Sequence, residues 1–108
     1  MTEGLVVLIT APSQEKAAEL GRAVVEERLA ACANLVPGVR SIYRWEGKVC
    51  DDAEVLLVLK TRRELFERLE ARVKALHPYS VPEIIGLPIE AGHAPYLKWI
   101  ADAVSGEG

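Results

Sequence analysis

The sequence predicts a small α+β domain of the ferredoxin-like, split βαβ type, with one antiparallel sheet and an additional C-terminal helix. Three observations predict this fold. Extended and helical patterns alternate in the order β-α-β-β-α-β-α. The two most apolar runs, LVVLI and VLLVL, are the first and third strands, which this plan places in the centre of the sheet. The other two strands are mixed or contain proline, as edge strands do. We expect residues 1–108 to form one domain.

The first strand and first helix follow from local patterns. LVVLIT (5–10) is a continuous apolar run, which is typical of a strand flanked on both edges. Pro12 is tolerated at a helix start, and Ser13 is the expected N-cap. Apolar residues then recur at helical spacing as far as Leu29, so the helix is predicted to reach that residue.

A hairpin is predicted next. We expect Pro37-Gly38 to break the chain before a second strand that begins at Val39. The segment EGK predicts a tight turn in which Gly47 takes a positive φ. The third strand is predicted from Glu54 to Thr61, where apolar residues are dense.

The second half of the chain predicts a helix, a strand and a helix. RRELFERLEARVKAL (62–76) has an apolar stripe at helical spacing. The connector LHPYSVPEII follows and leads into a short strand, Glu83 to Glu90, in which Pro88 indicates a sheet edge. APYLKWIADAV (94–104) predicts the last helix, with Pro95 in its first turn.

Composition excludes two classes of partner. Thirteen basic and sixteen acidic residues give a net charge of −3, and the basic residues form no cluster of the kind that nucleic acids require. The longest apolar run, LVVLI, is too short to span a bilayer. The acidic start MTEGL does not resemble a signal peptide, so the cytoplasm is the expected compartment.

The two cysteines and the few amides also carry information. Cys32 and Cys50 are expected to be reduced thiols, because no secretory signal precedes them, although one disulfide is arithmetically available. Asn34 and Gln14 are the only side-chain amides, and charged residues make up 27% of the chain. That profile resembles thermophilic proteins and predicts a thermostable domain.

The second strand predicts self-association. It carries Tyr43 and Trp45 on a long hairpin at the sheet edge, and an open edge of this kind invites pairing with another chain. The hypothesis is that the hairpin extends the sheet of a neighbouring subunit and closes a small ring. The alternative is a monomer in which the last helix covers the edge.

Several segments together resemble the CutA (CutA1) divalent-cation tolerance family. They are ERLAACANLVPGVRSIYRWEGKV, EVLLVLKT, LHPYSVPEIIGLPI and YLKWI, in that order, so the resemblance extends over nearly the whole chain. It implies a fold similar to that of PII signalling proteins, a homotrimer built by sheet pairing between subunits, and a role in tolerance of copper and other divalent metals. It also implies no enzymatic reaction.

The stretch LHPYSVPEII allows two interpretations. In the structural one, His77 ends a helix before Pro78 and bonds to free carbonyls, while Tyr79 donates its hydroxyl. Glu83 would accept that bond or pair with Lys60. In the functional one, His77 and Glu83 meet across the turn and bind Cu(II) or another divalent cation weakly, because imidazole and carboxylate are both suitable ligands.

The resemblance adds one candidate ligand and removes two. Cys32 lies in the family's AAC motif and is a candidate thiol ligand. Where copper ligands have been proposed in the family, on the first strand and just before HPY, this chain has Ile9 and Leu76. Only His77 carries over, which predicts weak binding. Five further residues are expected to line a ligand cleft or the trimer interface: Tyr43, Trp45, Lys60, Tyr79 and Trp99.

Three functions follow. The leading one is a non-enzymatic, homotrimeric, CutA-like protein that binds divalent cations weakly. The second is a PII-like sensor or adaptor that holds a small anionic ligand in clefts between subunits, although the chain lacks the long loop that PII proteins use. The third is an enzyme that uses His77 and Glu83 as acid and base, for which no nucleophile motif or cofactor loop is seen.

Overall fold

The computed structural model describes residues 2–106 and has the predicted element order. The elements are β1 (Gly4–Ala11), α1 (Gln14–Glu26), β2 (Cys32–Trp45), β3 (Lys48–Arg62), a short 3-10 helix (Arg63–Leu65) that continues as α2 (Phe66–Leu76), β4 (Ile84–Pro88) and α3 (Ala94–Val104). The sheet order is β2-β3-β1-β4, and every neighbouring pair is antiparallel. The ferredoxin-like prediction, with the two apolar strands in the centre, is confirmed.

The core lies between one face of the sheet and helices α1 and α2. Alternate residues of the central strands, such as Val7, Ile9 and Leu57, are completely buried against helix residues such as Leu20 and Leu69. Burying such a side chain contributes about 1.5–3 kcal/mol, so this face supplies most of the stability. The period of two along each strand is what sends these residues to one side.

Helix α1 begins as predicted and ends earlier than predicted. The Ser13 hydroxyl accepts a hydrogen bond from the Lys16 backbone N–H at 3.1 Å, which satisfies one of the free donors of the first turn. The helix ends at Glu26 because Arg28 takes a left-handed conformation with φ 59°. Leu29 nevertheless remains buried, since its N–H bonds back to the Val24 carbonyl at 2.8 Å.

The hairpin is longer than the sequence predicted. Pro37 and Gly38 do not end a segment, and they form a bulge inside a continuous strand, where Gly38 has φ 80° and the register shifts. The predicted tight turn is present, with Gly47 at φ 77°, and the positive φ of 49° at Glu46 as well makes it a two-residue turn of type I′. Because β3 already begins at Lys48, the hairpin extends beyond the core, and the chain measures 44 × 25 × 23 Å.

The second face of the sheet is only partly covered. Helix α3 contacts β3 and β1, and its Tyr96 reaches Cys32 on this face. Farther along, Leu8, Leu56 and Val58 lie in central strands and yet stay partly exposed. The last strand is shorter than predicted and forms an edge of the sheet that residues 2–106 build, with Ile85 half-exposed. No helix within residues 2–106 is long and apolar enough to cross a membrane.

Candidate functional site

A cleft of about 890 Å³ lies where the hairpin leaves the core and meets the connector between α2 and β4. We call it the acidic cleft, because three carboxylates line it together with three aromatic rings. These residues are Asp52, Glu54, Glu83, Tyr43, Trp45 and Tyr79. The cleft therefore takes in four residues that the sequence singled out, and it adds Asp52 and Glu54.

His77 is fixed at both ring nitrogens by backbone groups. It is the C-terminal cap of α2, where its own N–H bonds to the Val73 carbonyl at 2.8 Å and Pro78 prevents the helix from continuing. Its Nε2 donates to the Thr10 carbonyl at 2.8 Å, and its Nδ1 accepts the Tyr79 N–H at 3.2 Å. This network assigns the neutral Nε2–H tautomer. The side chain is 8% exposed, so neither nitrogen is available to a metal unless a backbone bond breaks.

Tyr79 extends from His77 into the cleft. The two rings are 4.6 Å apart, and the Tyr79 hydroxyl donates to Glu54 Oε2 at 2.6 Å. Burial, and then the bond to the Glu54 carboxylate, raise the pKa of Tyr79 well above its usual value. The expected bond from Tyr79 to Glu83 is therefore wrong: the acceptor is Glu54, which arrives from a different strand.

Glu54 is the most deeply placed carboxylate of the cleft. It is 8% exposed, and its second oxygen, Oε1, accepts no hydrogen bond from any residue between 2 and 106. No side-chain oxygen or nitrogen in that range is both buried and without a partner. Because Oε1 has no partner, it must be accessible, and we place its opening in the cleft that Glu54 lines. Glu83 lines the same cleft, and partial burial and then the charge of Glu54 raise the pKa of Glu83.

The hairpin wall of the cleft is held by two polar pairs. Tyr43 donates its hydroxyl to Asp52, and this bond raises the pKa of Tyr43 to about 12. Arg40 forms a two-pronged pair with Asp51, at 2.9 and 2.6 Å, which lowers the pKa of that carboxyl. Because the one arginine in the cleft wall is already paired, the cleft is negative.

The remaining predicted site residues form a separate group, which we call the Cys32 cluster: Cys32, Asn34, Lys60, Tyr96 and Trp99. Cys32 Sγ is 3.8 Å from the Tyr96 hydroxyl, and the Tyr96 and Trp99 rings are 5.4 Å apart. Lys60 is opposite Cys32 in the ladder and donates to Asn34. Lys60 is six positions after Glu54 in β3, which is roughly 20 Å along a strand.

This separation corrects two expectations. Lys60 does not lie beside the cleft, and its partner is Asn34 and not Glu83. Cys32 is not brought to His77 and Glu83, and among residues 2–106 no group of three or more His, Cys, Asp or Glu side chains is placed to hold a metal ion. Both cysteines are free thiols, as the sequence predicted.

Sequence reasoning missed Asp52 and Glu54. Asp52 lies just before the predicted third strand and Glu54 is its first residue, and neither was named as a site residue. The available signal was the alternation of β3, which puts Glu54 on the face opposite Val55 and Leu57. Its burial depends on Tyr79, which is 25 residues away, and no local pattern reports that contact.

Together, the geometry defines a ferredoxin-like domain with an open sheet face, an extended hairpin and an acidic cleft at the hairpin's base. Comparison with known proteins identifies the family. Residues 5–103 match the model of the family described as CutA1 divalent ion tolerance protein, and the chain belongs to this family.

Relatives match over nearly the whole chain. The divalent-cation tolerance protein CutA of Thermus thermophilus is 58% identical over 97 residues, covering 90% of this chain and 94% of that protein, and its solved structure superposes with a TM-score of 0.88. The structure of the periplasmic divalent cation tolerance protein CutA from Archaeoglobus fulgidus has a TM-score of 0.92 at 39% identity, covering 94% of this chain and 99% of the other.

A plant relative is longer. The rice protein CutA 1, described as chloroplastic, is 48% identical over 99 residues, which cover 92% of this chain and 56% of that protein. The chain thus spans about half the length of this relative. The two compartments in these descriptions, periplasm and chloroplast, also differ from the cytoplasm expected from the sequence.

Proposed function

We propose that this chain is a non-enzymatic, homotrimeric divalent-cation tolerance protein that binds Cu(II) or another divalent cation weakly in the acidic cleft. The observation that carries the binding step is the pair Glu54 and Glu83. Both carboxylates line the acidic cleft, where partial burial and then the charge of Glu54 raise the pKa of Glu83, and a cation between them would relieve their repulsion.

Weak affinity is expected from the donors in the cleft. Carboxylate oxygens accept divalent ions, but high affinity needs a complete set of ligands with suitable geometry. One subunit offers Glu83 and the open Oε1 of Glu54, with His77 engaged by the backbone. Water or a neighbouring subunit would complete the coordination, so the complex should exchange rapidly.

The trimer is supported by the open face of the sheet. Leu8 and Leu56 lie in the two central strands but remain partly exposed, and Val36 beside Leu56 and Ile85 beside Leu8 extend the same apolar face to both edges. Apolar residues in this position are normally covered, because leaving them in water sacrifices their burial energy. Copies of this chain are the proposed cover, with the long hairpin pairing to a neighbour's sheet.

The negative cleft disfavours the PII-like alternative. A small anionic ligand would need unpaired cationic groups, whereas Arg40 is paired with Asp51 and Lys60 lies outside the cleft. We retain the cytoplasm as the proposed compartment. Other protein partners are not part of the proposal.

The experiment is Cu(II) and Mn(II) titration calorimetry with light scattering on the same sample. Variants Glu83→Gln and His77→Gln form a matched pair, since each keeps a polar side chain of similar size. The proposal expects a trimer, weak binding, loss of most binding in Glu83→Gln and little change in His77→Gln. A monomer would overturn the assembly. Equal binding by native protein and Glu83→Gln would overturn the site.

A further inference from the structure

The acidic cleft combines two chemistries in one space. Within one subunit its aromatic rings are accessible, with Tyr43 42%, Trp45 43% and Tyr79 37% exposed. Tyr43 and Trp45 are two residues apart on β2, so they project from the same side of the strand. Tyr79 enters from the connector, so aromatic rings stand on two walls of the cleft. Large aromatic side chains that line a cleft without filling it are typical of ligand sites.

The hydroxyl groups of the two tyrosines are already used. Tyr43 donates to Asp52, and Tyr79 donates to Glu54. Each bond fixes the position of the ring through its hydroxyl group and places a carboxylate beside that ring. A polar ligand would therefore find no free phenol donor on Tyr43 or Tyr79, whereas the negative ring faces and carboxylates attract positive charge.

Glu54 adds a directed acceptor. A side chain that is nine-tenths buried has lost most of its water, and its Oε2 receives one hydrogen bond in return. Its Oε1 is open to the cleft and has no partner among residues 2–106. Such an oxygen is favourably placed to meet a cationic group, because the surrounding protein screens the attraction less than water does.

From this arrangement we propose that the acidic cleft binds a small organic cation of the alkylammonium class. The cation lies against the faces of Tyr43, Trp45 and Tyr79, and its charge is balanced by Glu54. The rings give this ligand a contact that a bare metal ion does not use. The cleft volume of about 890 Å³ is ample for such a molecule.

Binding of the organic cation and binding of a divalent metal share Glu54 and differ in the second partner. An alkylammonium ion uses the ring faces together with Glu54, whereas the metal needs Glu54 and Glu83. Metal titrations on the same preparation therefore report the proposed function separately. Loss of Glu83 is expected to reduce metal binding far more than binding of the organic cation.

The probe is tetramethylammonium, and the reporter is Trp45. The chain has only two tryptophans, and Trp99 lies in the Cys32 cluster. In a Trp99→Phe background, fluorescence therefore comes from Trp45 alone. Sodium chloride is replaced by tetramethylammonium chloride at constant ionic strength, so general screening stays fixed. Saturable change of Trp45 fluorescence, with a dissociation constant on the order of millimolar, is the expected result.

Paired variants separate ring, hydroxyl and charge. Tyr43→Leu should weaken binding roughly three- to thirty-fold, as loss of a cation–π contact of about 0.6–2 kcal/mol does. Tyr43→Phe keeps the ring and should bind within about twofold of the parent. Glu54→Gln, which still accepts the Tyr79 hydroxyl, should weaken binding about tenfold or more. Tyr43 lies on the exposed hairpin, so its substitutions leave the core intact.

Three results would overturn the proposal. The first is no saturable signal, which is also the outcome if a neighbouring subunit fills the cleft. The second is an equal response to tert-butyl alcohol, a neutral molecule of similar shape, which would indicate a simple apolar pocket. The third is binding that Glu54→Gln and Tyr43→Leu leave unchanged, which would place the cation elsewhere on the chain.

Discussion

The segment 54–60 of strand β3 carries a polar group at each of its two ends, and the two groups are organised differently. At one end, Glu54 is buried and holds Tyr79, which is held in turn by His77 and the Thr10 carbonyl. At the other end, Lys60 and Cys32 contact Asn34 and Tyr96 through single, more exposed interactions. A series of hydrogen bonds from the Thr10 carbonyl to the Glu54 carboxylate fixes the group around Glu54, whereas the group around Lys60 has only separate single contacts.

This contrast assigns different roles to the motif residues. His77 is the residue that metal chemistry would suggest first, and here it positions Tyr79 and thereby covers Glu54. Cys32 is the next suggestion, and it lies roughly 20 Å along the sheet from the cleft, by the rise of a strand. The groups that can still accept a hydrogen bond or a cation are the carboxylates of the cleft. Replacing one residue at a time near Glu54 and near Lys60 tests the difference between the two groups most directly.

The largest effect is expected for His77→Ala. The change leaves the Thr10 carbonyl and the Tyr79 N–H without their partners and opens a cavity beside Tyr79. We expect a loss of about 3 kcal/mol in the free energy of unfolding. Denaturant unfolding at a fixed protein concentration measures it, because assembly would make stability depend on concentration.

Lys60→Ala is the matched control at the other end. Its partner Asn34 is exposed, so we expect a change within about 0.5 kcal/mol. Equal losses for the two variants would remove the distinction between the two ends. His77→Gln, which keeps a donor toward Thr10, should recover part of the stability.

The next effect is on tyrosine ionisation. Glu54→Gln removes the charge that, together with burial, raises the pKa of Tyr79, so that pKa should fall toward its usual value. Phenolate absorbance during a pH titration measures it, with Tyr79→Phe identifying the signal. Burial and then the bond to Cys32 raise the pKa of Tyr96, and Cys32→Ser still offers a hydrogen-bonding group there, so this change should move the pKa of Tyr96 less. A larger shift at Tyr96 would contradict the comparison.

The sequence predicted what is locally encoded. The Ser13 cap and the Glu46-Gly47 turn were predicted because their side chains or φ angles act within a few residues. Pro37-Gly38 was misjudged, since a bulge and a strand break use the same residues and only the partner strand distinguishes them. The contacts of Glu54 and Lys60 depend on which strands and connectors meet, and local patterns do not contain that information.

A smaller effect concerns the pH dependence of stability. In the folded chain the pKa of Glu83 is raised above 4.5, so the folded state keeps this proton to a higher pH than the unfolded state. The free energy of unfolding should therefore fall as pH rises from 4.5 through the raised pKa of Glu83, and it should stay lower by the same amount above that pKa. Glu83→Gln should remove this contribution and be slightly more stable near neutral pH. Thermal unfolding from acid to neutral pH measures it, and a parallel pH profile for the two proteins would contradict it.

The smallest effect is expected for Cys32→Ser in metal titrations. Cys32 is in the family's AAC motif, but its sulfur contacts Tyr96 and is remote from Glu54 and Glu83. We therefore expect no change in Cu(II) or Mn(II) affinity, with Glu83→Gln as the variant that does lose it. A loss in Cys32→Ser alone would make the thiol a ligand and move the metal to the other end of β3. If both variants lost binding, subunits would have to bring the two ends together across an interface, because the single chain holds them apart.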